Sequence, residues 1–191
     1  MPYSGHPHYI FKICIIGQES VGKTCIARRL CFNTFESETK MTIGINFYTY
    51  DFPIIVDKET FLRLSIWDFG GQEQFRKLFP YYINGVNGIF LCFELINLQS
   101  LINLDWWYEK LIEYNVQSVP RVVLGTKQDL IDTAEHKLKV QDAIITSFLN
   151  KHNEKDFFKT SSKENINILS SFKNLVERIL DKTELDYDKL S

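Results

Sequence analysis

The sequence predicts an α/β fold: a mainly parallel sheet with one antiparallel hairpin strand and helices on both faces. Three observations carry this: short apolar runs recur along the chain, the stretches between them repeat apolar residues at helical spacing, and one pair of alternating segments meets across a polar interruption. Tyr9 to Ile16 is a nearly continuous apolar run ending at Gly17, the pattern of a strand buried on both faces. After Gly22 a helix is expected to about Phe32, with Ile26 and Leu30 on its inner face and Arg28 and Arg29 turned elsewhere. Two alternating segments between Phe47 and Trp67 flank Asp57, Lys58 and Glu59, which read as the turn of a hairpin. Ile89 to Leu95 and Val122 to Leu124 are further short buried strands. Leu101, Leu104, Tyr108, Leu111 and Ile112 fall at helical spacing between them, and Val140, Ile144 and Phe148 do so beyond the second. A last helix carries Ile168, Phe172, Leu175, Val176 and Ile179. Strands alternating with helices imply right-handed crossovers onto a sheet covered on both faces.

A chain of 191 residues is expected to form one domain, residues 1–191, with a core of about 9–181 between a short N-terminal tail and an acidic C-terminal one. At 45% hydrophobic and 24% charged residues, with a formal net charge of −2, the composition is that of a globular protein and not of a disordered or nucleic-acid-coating chain. Cys14, Cys25, Cys31 and Cys92 have neither metal-ligand spacing nor matched histidines, which fits reduced thiols in a cytoplasm. The start lacks an apolar signal core, Pro2 stands where myristoylation needs glycine, and no run of 18 apolar residues follows, so a cytoplasmic, monomeric chain is expected.

The strongest motif is Gly17-Gln18-Glu19-Ser20-Val21-Gly22-Lys23-Thr24, a phosphate-loop pattern lying between a strand and a helix, where its mechanism needs it. Successive N–H groups of Glu19, Ser20, Val21, Gly22, Lys23, Thr24 and Cys25, with the positive start of the helix, can form an anion cradle. Lys23 adds a point charge, and the Thr24 hydroxyl can reach Mg²⁺. Trp67-Asp68-Phe69-Gly70-Gly71-Gln72-Glu73 ends a strand pattern. Asp68 can hold a magnesium-bound water, Gly71 can turn its N–H to a γ-phosphate, and Gln72 can orient an attacking water. Standing alone, the same Asp-x-x-Gly reads equally well as a β-turn.

On these residues the chain resembles the Ras superfamily of small GTPases, most closely its Rab branch, over roughly residues 9 to 181. The resemblance implies a P-loop NTPase fold, GTP/GDP and Mg²⁺ as ligands, GTP hydrolysis, and activating, exchange and effector proteins as partners, with no nucleic acid. It makes Thr42-Ile43-Gly44-Ile45-Asn46-Phe47 the first switch loop, with Thr42 completing the Mg²⁺ shell, and matches Phe35 to the phenylalanine that packs against guanine. From the residues alone, Phe35 is as readily a core residue at a helix end. Leu124-Gly125-Thr126-Lys127-Gln128-Asp129 resembles the guanine-reading N-K-x-D motif. Asp129 can accept from guanine's N1–H and exocyclic amine, a pair of donors adenine lacks on that edge. The stem of Lys127 can lie along the base or ribose, and Thr126 replaces the usual asparagine. Thr160-Ser161-Ser162-Lys163 resembles the last base-contacting element: the family pattern places the Ser162 N–H at the guanine carbonyl and Lys163 against the base, with Ser161 beside them. By itself this tetrapeptide is an ordinary helix N-cap.

Four features depart from or qualify the pattern. Glu19 occupies a position usually held by a small residue beside the γ-phosphate, where a carboxylate opposes phosphate and an inserted arginine unless it turns to solvent. Gly70 replaces the alanine common in the Ras and Rab branches and resembles the W-D-x-G-G-Q of the Arf branch. Phe47, Trp67 and Tyr82 match an aromatic effector patch, and read equally as core residues of the hairpin and the second switch. The chain's last cysteine is Cys92, and its tail carries Asp181, Glu184, Asp186 and Asp188 against Lys182 and Lys189, so no prenyl anchor and no attraction to an anionic membrane are expected. The leading expectation is a GTP-hydrolysing switch with Gln72 and Lys23 as catalytic residues. The alternatives are a GTP-loaded scaffold in which Glu19 blocks assisted hydrolysis and an ATP-dependent kinase, the latter disfavoured by Asp129.

Overall fold

The computed structural model describes Pro7 and residues 9–37, 41–53, 61–133 and 138–183. Among the described residues six strands form one sheet: β1 (Tyr9–Gly17), β2 (Ile45–Pro53), β3 (Phe61–Phe69), β4 (Gly88–Glu94), β5 (Arg121–Thr126) and β6 (Phe157–Lys159), in the spatial order β2-β3-β1-β4-β5-β6. Only the β2–β3 pair is antiparallel, with Phe47 opposite Trp67, while β1 lies parallel to both β3 and β4. The expected hairpin is therefore present, although its expected turn at Asp57, Lys58 and Glu59 lies outside the described residues, as do Glu184, Asp186, Asp188 and Lys189 of the tail.

The apolar run of β1 is explained by what covers it. Ile13 and Ile15 face a core built with α1 (Lys23–Phe32) and α7 (Ile168–Leu180), whereas Cys14 and Ile16 face the opposite core. That second core holds Phe79, Trp107, Tyr108 and Phe148. With side chains alternating at period two and both faces covered, every residue from Ile13 to Ile16 is fully buried. The second core is supplied by α3 (Phe79–Tyr82), α4 (Leu98–Ile102), α5 (Leu104–Glu113) and α6 (Asp142–Lys151). A short α2 (Glu73–Arg76) follows β3.

Three details differ from the periodicity. The segment between β4 and β5 is two helices, α4 and α5, divided at Asn103, and α4 is started by the Asn97 side chain accepting from the Ser100 N–H at 3.2 Å. Ile112 points outward at 63% exposure, and in α6 Ile145 is buried while Ile144 is exposed. A three-residue strand such as β6 is too short to show a period, and its position at the sheet edge is fixed by pairing with β5. Among the described residues no helix is long and apolar enough to cross a membrane.

Candidate functional site

A cavity of about 550 Å³ lies along the carboxyl ends of β1, β3 and β5, within the range usual for small-molecule sites, ~300–1,000 Å³. Residues from five separate stretches of sequence meet there, because parallel strands deliver their following loops to one edge of the sheet and the antiparallel β2 starts from that same edge. Glu19, Ser20, Gly22, Lys23, Thr24 and Cys25 line one end, and Phe35, Thr42, Gly71 and Gln72 stand across from them. Thr126, Lys127, Asp129, Ser162 and Lys163 line the other end. Val21, Asp68 and Ser161 do not form the wall but are buried close behind it. Phe35 lies beyond the end of α1 on the cavity wall and is 38% exposed, so it is not a core residue.

At the first end Lys23 is 5% exposed, and its ammonium donates to the carbonyls of Gly17 at 3.0 Å and Gln18 at 2.6 Å. Burial lowers its pKa from the ordinary lysine value, against the attraction of Asp68. Asp68 is fully buried, accepts from the Thr24 hydroxyl at 2.6 Å, and leaves its second oxygen, Oδ1, without a hydrogen-bond partner. Burial pushes its carboxyl above the ordinary aspartate range, opposed by the bond from Thr24 and by Lys23. The hydroxyls of Thr24 and Thr42 are 2.8 Å apart, close to the ~2.9 Å edge of an octahedral Mg²⁺ shell with bonds of about 2.0–2.1 Å. An unpartnered buried carboxylate oxygen beside two converging hydroxyls is a donor set that fits this ion.

The second glycine after Asp68 is in backbone contact with the phosphate-loop pattern. A Cβ on Gly71 would lie 2.2 Å from the Glu19 nitrogen, so only glycine permits this approach. Gln72 is half-buried, with Nε2 3.2 Å from the Met41 sulfur and Oε1 accepting from Gln74 at 3.2 Å. Glu19 is exposed at the cavity lip.

At the other end hydroxyls replace what the sequence pattern leads one to look for. Thr126 is 3% exposed, and its Oγ1 lies 2.5 Å from the Val21 carbonyl and 3.0 Å from that of Phe93, tying β5 to the loop after β1. Ser161 is fully buried and donates to Asp129 Oδ1 at 2.6 Å, which fixes the carboxylate's plane. Lys127 adopts a left-handed backbone with φ of 59° and pairs with Glu94 at 3.0 Å. Among the described residues, the non-glycine residues with positive φ are five asparagines, which tolerate it, plus Ser20 and Lys127, and both of these line the cavity.

Two side chains here escaped sequence reading. Glu94, the last residue of β4, is signalled only as a charge at the carboxyl end of an otherwise apolar strand. Arg29, on α1, donates to the carbonyls of Ser162 and Lys163, 133 and 134 residues away in sequence, and no local pattern announces that. Outside the cavity, Phe47, Trp67 and Tyr82 form a contiguous aromatic surface, with ring centroids 4.7 Å and 5.7 Å apart along the series and the Lys12 ammonium 3.8 Å above Trp67. Of the neighbouring tryptophans, Trp107 is fully buried and Trp106 half-buried.

A model of the Ras family matches residues 12–181 of the chain. Ras-related protein Rab-10 of Diplobatis ommata is 35% identical over 174 residues, covering 91% of this chain and 83% of its own length. The GTP-binding protein ypt1 of Schizosaccharomyces pombe is 30% identical over 174 residues, with 91% and 82% covered. Ras-related protein Rab-3 of Caenorhabditis elegans is 31% identical over 185 residues, with 95% and 79% covered. With the sheet order, the phosphate-loop geometry and these likenesses together, the chain belongs to the Ras family and is a small GTPase acting as a GTP-binding switch.

Proposed function

We propose that the cavity binds GDP and GTP with Mg²⁺ and that hydrolysis of the γ-phosphate releases the segments around Thr42 and Gln72. The observation that carries this reading is the meeting of Thr24, Thr42 and the buried Asp68 beside Lys23, at the opposite end of one cavity from Asp129. Lys23 and the N–H groups from Glu19 to Cys25 hold the phosphates. Thr24, Thr42 and Asp68 hold Mg²⁺, which neutralises charge on the phosphate oxygens. Gln72 orients the attacking water while the Gly71 N–H faces the γ-phosphate. Asp129 reads guanine, Ser161 and Thr126 support it from behind, Lys127 and Phe35 pack on the base, and Ser162 and Lys163 close its far side. No arginine from this chain faces the Gln72 position among the described cavity-lining residues, so intrinsic turnover is slow, on the order of 10⁻⁴ to 10⁻³ s⁻¹. Activating proteins, exchange proteins and effectors act through the switch segments and the surface of Phe47, Trp67 and Tyr82.

The test is nucleotide specificity. The parent protein should retain GDP or GTP through purification, and Asp129→Asn should move its preference from guanine to xanthine nucleotides, because an amide donates to the 2-oxo group where the acid accepted from an amine. Unaltered GTP affinity in that variant defeats the assignment of the base end.

A further inference from the structure

Arg29 sits in the last turn of α1, outside every nucleotide motif, yet its guanidinium spans three pieces of backbone. Nε donates to the Ser162 carbonyl at 2.6 Å and Nη2 to the Lys163 carbonyl at 3.1 Å. Nη1 donates to both the carbonyl of Asn33, at 2.9 Å, and its side-chain oxygen, at 3.1 Å. Asn33 is the C-cap of α1, held in the left-handed region with φ of 53°, and it opens the segment that carries Phe35 to the cavity wall. Four of the five guanidinium donors are therefore used, on two loops that nothing in the sequence places together.

The contact with Lys163 does not end at its carbonyl. The same peptide unit carries the Glu164 N–H, which donates to Ser161 Oγ at 3.0 Å, and that hydroxyl donates to Asp129 Oδ1 at 2.6 Å. A continuous chain of hydrogen bonds thus runs from Asn33 through Arg29, the Lys163–Glu164 peptide and the buried Ser161 to the carboxylate at the base end. Each member polarises the next, and the peptide plane cannot tilt without lengthening the bonds on either side of it.

Resting on the guanine assignment of Asp129, we propose that Arg29 is a positioning residue that couples the entrance of the first switch segment to the base-reading carboxylate and thereby sets the rate of nucleotide release. When the segment after Asn33 is drawn outward, the guanidinium follows it, the carbonyls of Ser162 and Lys163 lose their donor, and Asp129 loses the alignment supplied through Ser161. Opening the switch side of the cavity then weakens the hold on the base without any contact to the base itself. Lysine does not substitute, since its three donors radiate from one atom and do not bridge carbonyls on two loops.

The experiment measures release of labelled GDP and of inosine diphosphate, which lacks the 2-amino donor, from the full chain at fixed Mg²⁺. Arg29→Lys is expected to speed GDP release about tenfold and to narrow the GDP-to-inosine-diphosphate preference, while single-turnover GTP hydrolysis stays within about twofold of the parent. Asn33→Gly keeps the left-handed backbone and the carbonyl but removes the side-chain acceptor, and should speed release about threefold. It covers the case in which Arg29→Lys does not fold. GDP release within twofold of the parent in both variants overturns the proposal, and so does faster release with an unchanged preference between the two bases, the mark of a merely structural role. If the parent binds no guanine nucleotide, or Asp129→Asn does not acquire xanthine preference, it is the guanine reading itself that fails; a normal parent with an indifferent Arg29→Lys fails this inference alone.

Discussion

The two ends of the cavity are fastened in different ways. At the base end the wall is locked by groups that are themselves buried: Thr126 to Val21 and Phe93, Ser161 to Asp129, and the backbone of Thr160 and Gln128 paired with Gly125 and with each other at 2.7 and 3.0 Å. At the phosphate end only half of the wall is built this way. The loop around Lys23 is anchored between β1 and α1, but the facing segments are exposed, with Met41 at 62% and Ile43 at 82%, and meet the rest through a few bonds such as Gly70 to Gly44. Burial and hydrogen bonding set local stability, so the base end is organised before ligand arrives, whereas on the proposed function the switch half would take much of its order from contacts that phosphate and metal supply. Substitutions at the base end and in the loop should then act on GDP and GTP alike, and those on the switch half should separate the two.

Lys23→Met gives the largest expected effect and bears on the loop that both nucleotides share. Removing two charge-assisted contacts to phosphate, each about 1.5–3 kcal/mol, should weaken GDP and GTP binding by about 10²–10⁴-fold. Without nucleotide the same change relieves a buried ammonium but leaves the carbonyls of Gly17 and Gln18 without that donor and Asp68 without its counter-charge, so stability should fall by about 1–3 kcal/mol. Titration calorimetry and thermal melts check both halves, and a loss of affinity below tenfold would remove Lys23 from the phosphate site.

The same contrast explains what was legible in the sequence. The loop around Lys23 is contiguous, so its spacing alone announced the strand, the turn and the helix, and with them the place of the proposed phosphate cradle. The aspartates at 68 and 129 were legible because each follows an apolar strand, and parallel strands bring such positions to one edge. The side chains that hold those aspartates in place were not. Ser161 reads as an N-cap, yet it is buried under Asp129; Thr126 reads as a replacement of the usual asparagine, yet its hydroxyl ties β5 to the loop after β1 and to β4; Arg29 reads as the polar face of a helix. Their partners are long-range, from 32 to 134 residues away, and periodicity carries no information at that range. Helix faces were misjudged by one position at Ile144, where Ile145 is the buried residue, because a short helix lets either residue satisfy the same spacing.

Thr126→Val sharpens the comparison from the base end. The substitution keeps volume while leaving the carbonyls of Val21 and Phe93 without their donor, at a cost of about 1–3 kcal/mol in stability. Because the hydroxyl fixes the wall and not the γ-phosphate, GDP and a non-hydrolysable GTP analogue should lose the same affinity, about three- to tenfold. Parallel binding titrations read the ratio of the two, and a change in that ratio beyond twofold would assign Thr126 to the switch half instead.

Gly70→Ala tests the switch half with the smallest chemical change, a single methyl group. A Cβ at this position would lie 2.7 Å from the Thr42 carbonyl and 3.0 Å from that of Gly44, closer than a carbon and an oxygen settle, and the Phe75 ring blocks a third direction at 3.0 Å. The end of β3 is fixed by its ladder with β1, so the segment from Thr42 to Gly44 must give way, and the Gly70 N–H bond to the Gly44 carbonyl at 2.8 Å lengthens with it. Thr42 then moves off Thr24 and Asp68, which lie on anchored elements and stay where they are. Since the proposed function places Thr42 in the half that a γ-phosphate would order, the variant should bind the GTP analogue about threefold more weakly and hydrolyse GTP more slowly, with GDP affinity unchanged. Equal losses for GDP and the analogue would mean that the methyl group disturbs the sheet end and the loop around Lys23 together, and the division of the cavity into a preorganised half and a ligand-ordered half would not hold.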